Sequence, residues 1–163
     1  RVRSSAASDV YKRQGKSLNE VFHQIKISSE ILNKSWLRPV YDDPKFLIRM
    51  IWRRYGGWWD GEYDRLLPDS RENEAQEWVE LSGGIDAIIN KALDNLTNKK
   101  YKLAAHLIEV AYYADKRNEK LHEARKEIYA ALSKEQDSSM ARNIFNHANL
   151  ASNELKRDLA SED

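Results

Sequence analysis

Apolar residues recur every three or four positions through most of the chain, which is the spacing of helices that bury one side in a core. From Arg71 onward, five such segments follow one another. Their apolar positions are Ala75, Trp78 and Val79; Ile85, Ile88, Ile89, Ala92, Leu93 and Leu96; Tyr101, Ala104, Ala105, Ile108, Ala111 and Tyr112; Leu121, Ala124, Ile128, Ala131 and Leu132; and Met140, Ile144, Ala148, Ala151 and Leu155. Gly83–Gly84 and Thr97–Asn98 end the first two, and short linkers join antiparallel neighbours. The pattern predicts an all-α fold, a helical bundle.

The second and third of these helices also resemble a tetratricopeptide helix hairpin. Lys99–Lys100 lead into Tyr101, which would fill the gap at the turn, and Ala104–Ala105 would let two helices approach closely. A free-standing solenoid needs about three repeats. The sequence therefore predicts one or two tetratricopeptide-like hairpins within the bundle.

A short amphipathic helix is predicted after Ser17. Ser17 and Glu20 have the spacing of a capping box, in which each side chain binds the other residue's backbone N–H. Apolar residues then follow at helical spacing, namely Leu18, Val21, Phe22 and Ile25.

The stretch from Trp36 to Gly61 contains four of the five tryptophans of the chain. Asp43 and Pro44 predict the start of a helix, because aspartate caps the first turn and proline suits its first position. Apolar side chains then occupy both sides of the helix, which predicts that it is buried nearly all round. Its apolar members are Phe46, Leu47, Ile48, Met50, Ile51, Trp52 and Tyr55.

A turn is predicted where this helix ends. Gly56–Gly57 stop the helix, and the run from Trp58 to Gly61 reverses the chain, with Gly61 able to adopt a positive φ. Asp60 is interpreted as a turn residue whose carboxylate bonds to the nearby backbone.

This block resembles the junction segment of bacterial-type alkyl sulfatases, the detergent-hydrolysing branch of the metallo-β-lactamase superfamily. The resemblance extends from about Ser17 to about Leu155, and Glu62–Tyr63 depart from it where the family usually has Asn-Pro. The matching segments are Trp36–Tyr41, Asp43–Pro44, Ile51–Arg53, Tyr55–Gly61 and Val79–Gly84.

In that family a zinc-binding catalytic domain precedes a helical dimerisation domain and a sterol-carrier-like domain. The resemblance implies that residues 15–61 form the C-terminal end of the catalytic domain with its junction block. Residues 62–163 would then form the helical dimerisation domain. Residues 1–14 resemble a translated sequencing-adapter artefact, which would leave the natural upstream sequence missing.

Composition narrows the kinds of molecule that this chain is expected to bind. The formal charge is +1 from 27 basic and 26 acidic residues, so no basic excess predicts nucleic-acid binding. The chain has no cysteine, which rules out disulfides and thiolate metal sites within it and leaves the compartment open. No apolar run approaches the roughly 20 residues of a membrane span.

The sequence predicts no catalytic residue and no metal site in this chain. His23, His106, His122 and His147 lie singly, without the close spacing that lets local pairs hold zinc. They are interpreted as surface or packing residues. By the family resemblance, zinc belongs to the intact parent enzyme.

Two interpretations of the aromatic and basic residues near the junction stay open. In the first, Trp52, Trp58 and Trp59 pack a domain junction. In the second, Arg53, Arg54 or Tyr55 contributes to a sulfate pocket, because guanidinium and phenol groups can donate hydrogen bonds to a tetraoxo anion. The candidate pocket residues are therefore Arg53, Arg54 and Tyr55, and the structural turn comprises Gly56, Gly57, Trp58, Trp59, Asp60 and Gly61.

The third bundle helix carries a second apolar stripe, which predicts a surface for self-association. Leu103, Leu107, Val110 and Tyr113 lie off its main apolar face. A large exposed apolar patch usually marks an interface. With the family resemblance, this predicts a symmetric homodimer formed through Arg71 to Leu159, with the catalytic and sterol-carrier-like domains as further partners in the parent.

The sequence therefore favours a piece of an alkyl sulfatase, a sulfuric ester hydrolase, that supplies the dimerisation domain and is not catalytic alone. The parent would cleave sulfate esters with a zinc-activated water. Two alternatives stay open. One is a helical-repeat scaffold that binds peptides, and the other is a hydrolase of the same superfamily that acts on a non-sulfate ester.

Overall fold

The computed structural model describes residues 15–155, and the chain divides into two compact units, residues 1–68 and residues 69–163. Every regular element within the described residues is a helix. This confirms the predicted all-α class and helical bundle. The segment interpreted as an adapter artefact, residues 1–14, lies outside the described residues.

The first unit contains α1 (Leu18–Gln24), α2 (Ser29–Leu32), α3 (Pro44–Ile51) and a π-helix (Trp52–Gly56). The predicted capping box at the start of α1 is confirmed: the Ser17 backbone N–H donates to Glu20 Oε2 at 2.8 Å, and Glu20 N–H donates to Ser17 Oγ at 3.2 Å. The predicted start of α3 is also confirmed, since Asp43 Oδ1 accepts from Lys45 N–H at 2.7 Å.

The core of the first unit is small and one-sided. Val21, Ile48 and Trp52 are buried together, with the partly buried Leu18, Phe22 and Ile25 packed around them. The prediction that α3 is buried nearly all round is wrong, because its side chains on the other sides, among them Leu47, Met50 and Tyr55, are exposed. Among the described helices of this unit, α1 packs against α3, and seven residues can cover only one side of it.

The second unit contains α4 (Arg71–Ser82), α5 (Ile85–Thr97), α6 (Tyr101–Ala114), α7 (Glu119–Lys134) and α8 (Ser139–Asn153). These helices confirm the five predicted segments. Gly83 ends α4 in the left-handed conformation with φ +83°, as predicted for this position. Ser70, Asn118 and Ser138 cap the starts of α4, α7 and α8 with their side-chain oxygens.

One contiguous core joins the helices of the second unit. Consecutive helices pack against one another from α4 to α8, and α4 also packs against α6. The fully or nearly buried members of this core are Ile88, Ile89, Ala92, Ala104, Ile108, Ala111, Tyr112, Leu121, Ala124, Ile128, Tyr129 and Leu132. The tetratricopeptide-like character of its helix pairs stays a prediction.

Three core positions predicted for the first and last segments of this unit are wrong. Trp78 of α4 is half exposed, and α4 buries Ala75 instead. In α8 the predicted stripe is displaced: Ile144 and Leu155 are exposed, while the neighbouring Phe145 packs on the core. Polar contacts determine which side of α8 faces α7. That side carries Ser152 and other hydrogen-bonding groups, which the spacing of apolar residues does not reveal.

Exposed contacts connect α4 to the segment after α6. Lys116 Nζ lies 2.9 Å from Glu72 Oε1, and this hydrogen bond lowers the pKa of the Glu72 carboxyl. Gln76 Nε2 donates to the Ala114 carbonyl at 2.9 Å. Such exposed ion pairs contribute little to the free energy of unfolding, so the buried core accounts for most of the attachment of α4.

Candidate functional site

The turn after the π-helix is held by side-chain bonds to its own backbone. Trp52 Nε1 donates to the Trp59 carbonyl at 3.0 Å, and Trp59 Nε1 donates to the Glu62 carbonyl at 3.2 Å. Asp60 Oδ1 accepts from Glu62 N–H at 3.0 Å, the bond of an Asx turn. The three tryptophans therefore differ in role: Trp52 is buried, Trp59 is partly covered and Trp58 is 82% exposed.

The same turn is fastened to the beginning of α1. The Leu18 N–H donates to the Asp60 carbonyl at 2.7 Å. Gly61 has φ +92°, and a Cβ at this residue would lie 3.0 Å from Ser17 Cα. Glycine is thus required at position 61 for two reasons, the backbone conformation and the close approach of another backbone segment.

We expect Gly61→Ala to lower the free energy of unfolding of the first unit by about 2 kcal/mol, about 1 from backbone strain and about 1 from the contact with Ser17. Gly57→Ala is the matched control, because Gly57 has φ +88° and nothing within 4 Å of the added Cβ. Denaturant unfolding monitored by tryptophan fluorescence measures both variants. Equal losses would show that the contact with Ser17 contributes nothing.

Arg53, Arg54 and Tyr55 lie together on the π-helix, and all three are exposed. The Arg54 guanidinium carbon lies 5.8 Å from the centre of the Tyr55 ring. A π-helix adds a residue per turn and is often found at functional sites. This geometry was not predictable from the sequence, since apolar spacing over five residues does not distinguish a π-helix from the end of an α-helix.

The four residues of the predicted self-association surface differ in their exposure to solvent. Leu103 is 55% exposed. Leu107, Val110 and Tyr113 are partly buried and pack against the core of the second unit. Arg71 and Lys116 also lie over the Tyr113 ring, 5.1 Å and 5.3 Å from its centre.

A buried polar cluster joins α6, α7 and α8, and sequence reasoning missed it. Arg125 is 2% exposed, and its Nε lies 2.8 Å from Glu109 Oε1. Its Nη1 donates to the Ala148 carbonyl at 3.1 Å and to Ser152 Oγ at 2.9 Å. The guanidinium carbon lies 4.4 Å from the centre of the Tyr112 ring.

His122 extends the cluster towards the segment after α6. Its Nδ1 lies 3.1 Å from Ser152 Oγ, and its Nε2 lies 2.9 Å from the Lys116 carbonyl. Because a carbonyl can only accept, Nε2 donates to it, and Nδ1 and the Ser152 hydroxyl share a second hydrogen bond. His122 is therefore a buried packing residue, one of the two roles predicted for the histidines.

The remaining histidines stand apart from this cluster. His23 and His106 are exposed, and His147 is partly buried. Across residues 15–155, no three His, Cys, Asp or Glu side chains come together in a group that could hold a metal ion. No helix of the described part is long and apolar enough to cross a membrane.

Comparison with known proteins shows that this chain is similar to part of the alkyl sulfatases. Residues 17–155 match the sequence family described as alkyl sulfatase dimerisation. An (R)-specific secondary-alkylsulfatase from Pseudomonas sp. is 24% identical over 133 residues, which cover 81% of this chain and 20% of the relative. An alkyl/aryl-sulfatase from Saccharomyces cerevisiae is 21% identical over 132 residues, again 20% of its length.

A solved structure shows the same fold. The stereoselective inverting sec-alkylsulfatase Pisa1 from Pseudomonas sp. superposes with a TM-score of 0.83 and 22% sequence identity. The match covers 98% of this chain and 25% of that one. This chain thus spans about a fifth to a quarter of the length of the relatives it matches.

Proposed function

Because this chain belongs to the alkyl sulfatase dimerisation family, we propose that it supplies the helical dimerisation part of an alkyl sulfatase and pairs with a second copy as a symmetric homodimer. The second unit, from Arg71 onward, would form the pairing surface. Residues 156–159 of the predicted pairing region lie outside the described residues. The family match is the observation that carries this proposal.

Exposed apolar side chains on the second unit support the pairing. Trp78, Leu81, Leu103, Ile144 and Leu150 are all exposed, although the unit has a complete core of its own. Exposed apolar area of this kind is typical of association surfaces when it is contiguous. A two-fold pairing would bury the same residues on both copies.

The activity of the parent enzyme is part of the same proposal. The relatives are named alkylsulfatases, which supports cleavage of sulfate esters by a zinc-activated water in the complete protein. The zinc ligands and the catalytic residues would lie in the catalytic domain, since residues 15–155 do not fit a metal site. This chain would then be inactive alone.

The first unit would adjoin that catalytic domain. Leu47, Met50, Tyr55 and Trp58 are exposed around a small core, which supports a surface covered in the complete enzyme. On this proposal residues 15–61 are the end of the catalytic domain and its junction. Arg53, Arg54 and Tyr55 would then contribute to the sulfate pocket, with the guanidinium groups donating to the anion.

The alternatives receive less support. A peptide-binding scaffold would need about three helical repeats, and no observation on this chain favours it. A hydrolase of a non-sulfate ester would share the same dimerisation part, so the substrate of the parent decides between it and an alkyl sulfatase.

Analytical ultracentrifugation of the full chain at tens of micromolar tests the pairing. We expect a mass near twice the 19.0 kDa of one chain. Leu103→Glu places a charge on the proposed surface and should shift the mass towards one chain, because a buried unpaired charge is costly. Leu67→Glu in the first unit, at a residue that is also exposed, is the matched control and should remain dimeric. A single-chain mass for the unmodified protein would contradict the proposal.

A further inference from the structure

Helix α8 is attached to α7 largely through polar contacts. Its buried residues are small, namely Ala141, Ala151 and Ser152. Ile144 and Leu150, which are larger and apolar, are exposed, and Phe145 is the large apolar side chain that packs on the core.

Hydrogen bonds cross the α7–α8 contact along its whole length. Near the connection between the helices, Ser133 Oγ donates to the Arg142 carbonyl at 3.0 Å. Further along, Asn149 Nδ2 donates to the Lys126 carbonyl at 2.7 Å. At the far end, the buried cluster around Arg125 holds α8 through the Ala148 carbonyl and the Ser152 hydroxyl.

The balance of these contacts makes α8 easier to detach than α5, α6 or α7, which share the large apolar core. Detaching α8 would expose little apolar area, since most of the residues it buries are small. Its neutral polar partners would return to water, which replaces their hydrogen bonds at small net cost, whereas the bonds to the charged Arg125 contribute more. By contrast, α5, α6 and α7 share the large apolar core and would open only with the whole unit.

We propose that α8 is a strap that opens from α7 as a unit while α5 to α7 stay folded, and that Arg125 is the latch that holds it closed. Residues 135–138, which connect α7 to α8, serve as the hinge. Arg125 suits this role because it binds α6 through Glu109 and α8 through Ala148 and Ser152 at once.

Amide hydrogen exchange of the full chain tests whether α8 opens from α7 in this way. In the unmodified protein, we expect α8 amides to exchange at least about 10-fold faster than α6 amides. Arg125→Met keeps an unbranched side chain and removes the latch. We expect it to accelerate exchange in α8 by roughly 10-fold to 100-fold, because several hydrogen bonds to a charged group are lost, and to leave α6 unchanged.

Leu121→Ala is the control on the same helix. Leu121 is fully buried in the apolar core, so this variant should accelerate exchange in α5 to α8 together. Ser152→Ala removes one hydroxyl of the cluster and should give a smaller acceleration confined to α8, which preserves the test if Arg125→Met fails to fold. Equal acceleration of α6 and α8 in either latch variant, or no acceleration of α8, would overturn the proposal.

Discussion

Trp52→Ala is expected to lower the free energy of unfolding of the first unit by about 3–5 kcal/mol. Trp52 is one of three buried residues in that core, together with Val21 and Ile48. Its indole N–H also donates to the Trp59 carbonyl, so the substitution removes both packing and a bond that holds the turn. Small cores have few other contacts to compensate for such a loss.

Trp58→Ala is the matched control for this prediction. Trp58 lies six residues further along, carries the same side chain and is 82% exposed, so we expect a loss below about 0.5 kcal/mol. Denaturant melts, with hydrogen exchange to assign each transition to a unit, measure both variants. A loss below about 1 kcal/mol for Trp52→Ala would show that the core of the first unit is loosely packed.

The second large effect is expected from Ile108→Ala in α6. Ile108 is fully buried at the centre of the second unit, and deleting its side chain there should cost about 2–5 kcal/mol through lost burial and the cavity left behind. The loss should appear in the transition of the second unit alone. Calorimetry or denaturant unfolding of the full chain measures it.

Leu103→Ala on the same helix separates folding from association. Leu103 is mostly exposed, so its loss should change the free energy of unfolding of a single chain by under about 0.5 kcal/mol. If Leu103 lies in the proposed pairing surface, the same variant should weaken self-association. An Ile108→Ala loss no larger than that of Leu103→Ala would contradict the position of Ile108 in the core.

The helices were predictable from the sequence because their signals are local. The Ser17–Glu20 capping box, the Asp43–Pro44 start and the Gly83 end each depend on residues within one turn. The core of α5, α6 and α7 followed from spacing, since apolar residues dominate those faces.

Features that depend on tertiary partners were not predictable in this way. The spacing of α3 indicated apolar residues on all sides, but among the described helices α1 covers one side of it, and Leu47 and Met50 stay exposed. The side of α8 that faces α7 is chosen by Arg125 and its acceptors, which lie far apart in sequence. A charged residue in a helix gives no sign of burial until its partners are known.

The candidate site likewise has one part that was predictable from the sequence and one part that was not. The turn from Gly57 to Gly61 was evident from its glycines and aspartate. The π-helix that carries Arg53 and Arg54 was not, because apolar spacing over five residues does not distinguish it from the end of an α-helix. The sequence therefore indicated which residues form the block, and the structure gives their arrangement.

The bond from the Leu18 N–H to the Asp60 carbonyl has an evolutionary consequence. It joins the beginning of α1 to the turn after the π-helix, so the chain between Leu18 and Asp60 forms a closed loop. Insertions or deletions between α1 and α3 would lengthen or shorten this loop without altering the distance between Leu18 and Asp60. Homologous chains should therefore vary in length between residues 26 and 42, while the spacing from Trp52 to Gly61 stays fixed.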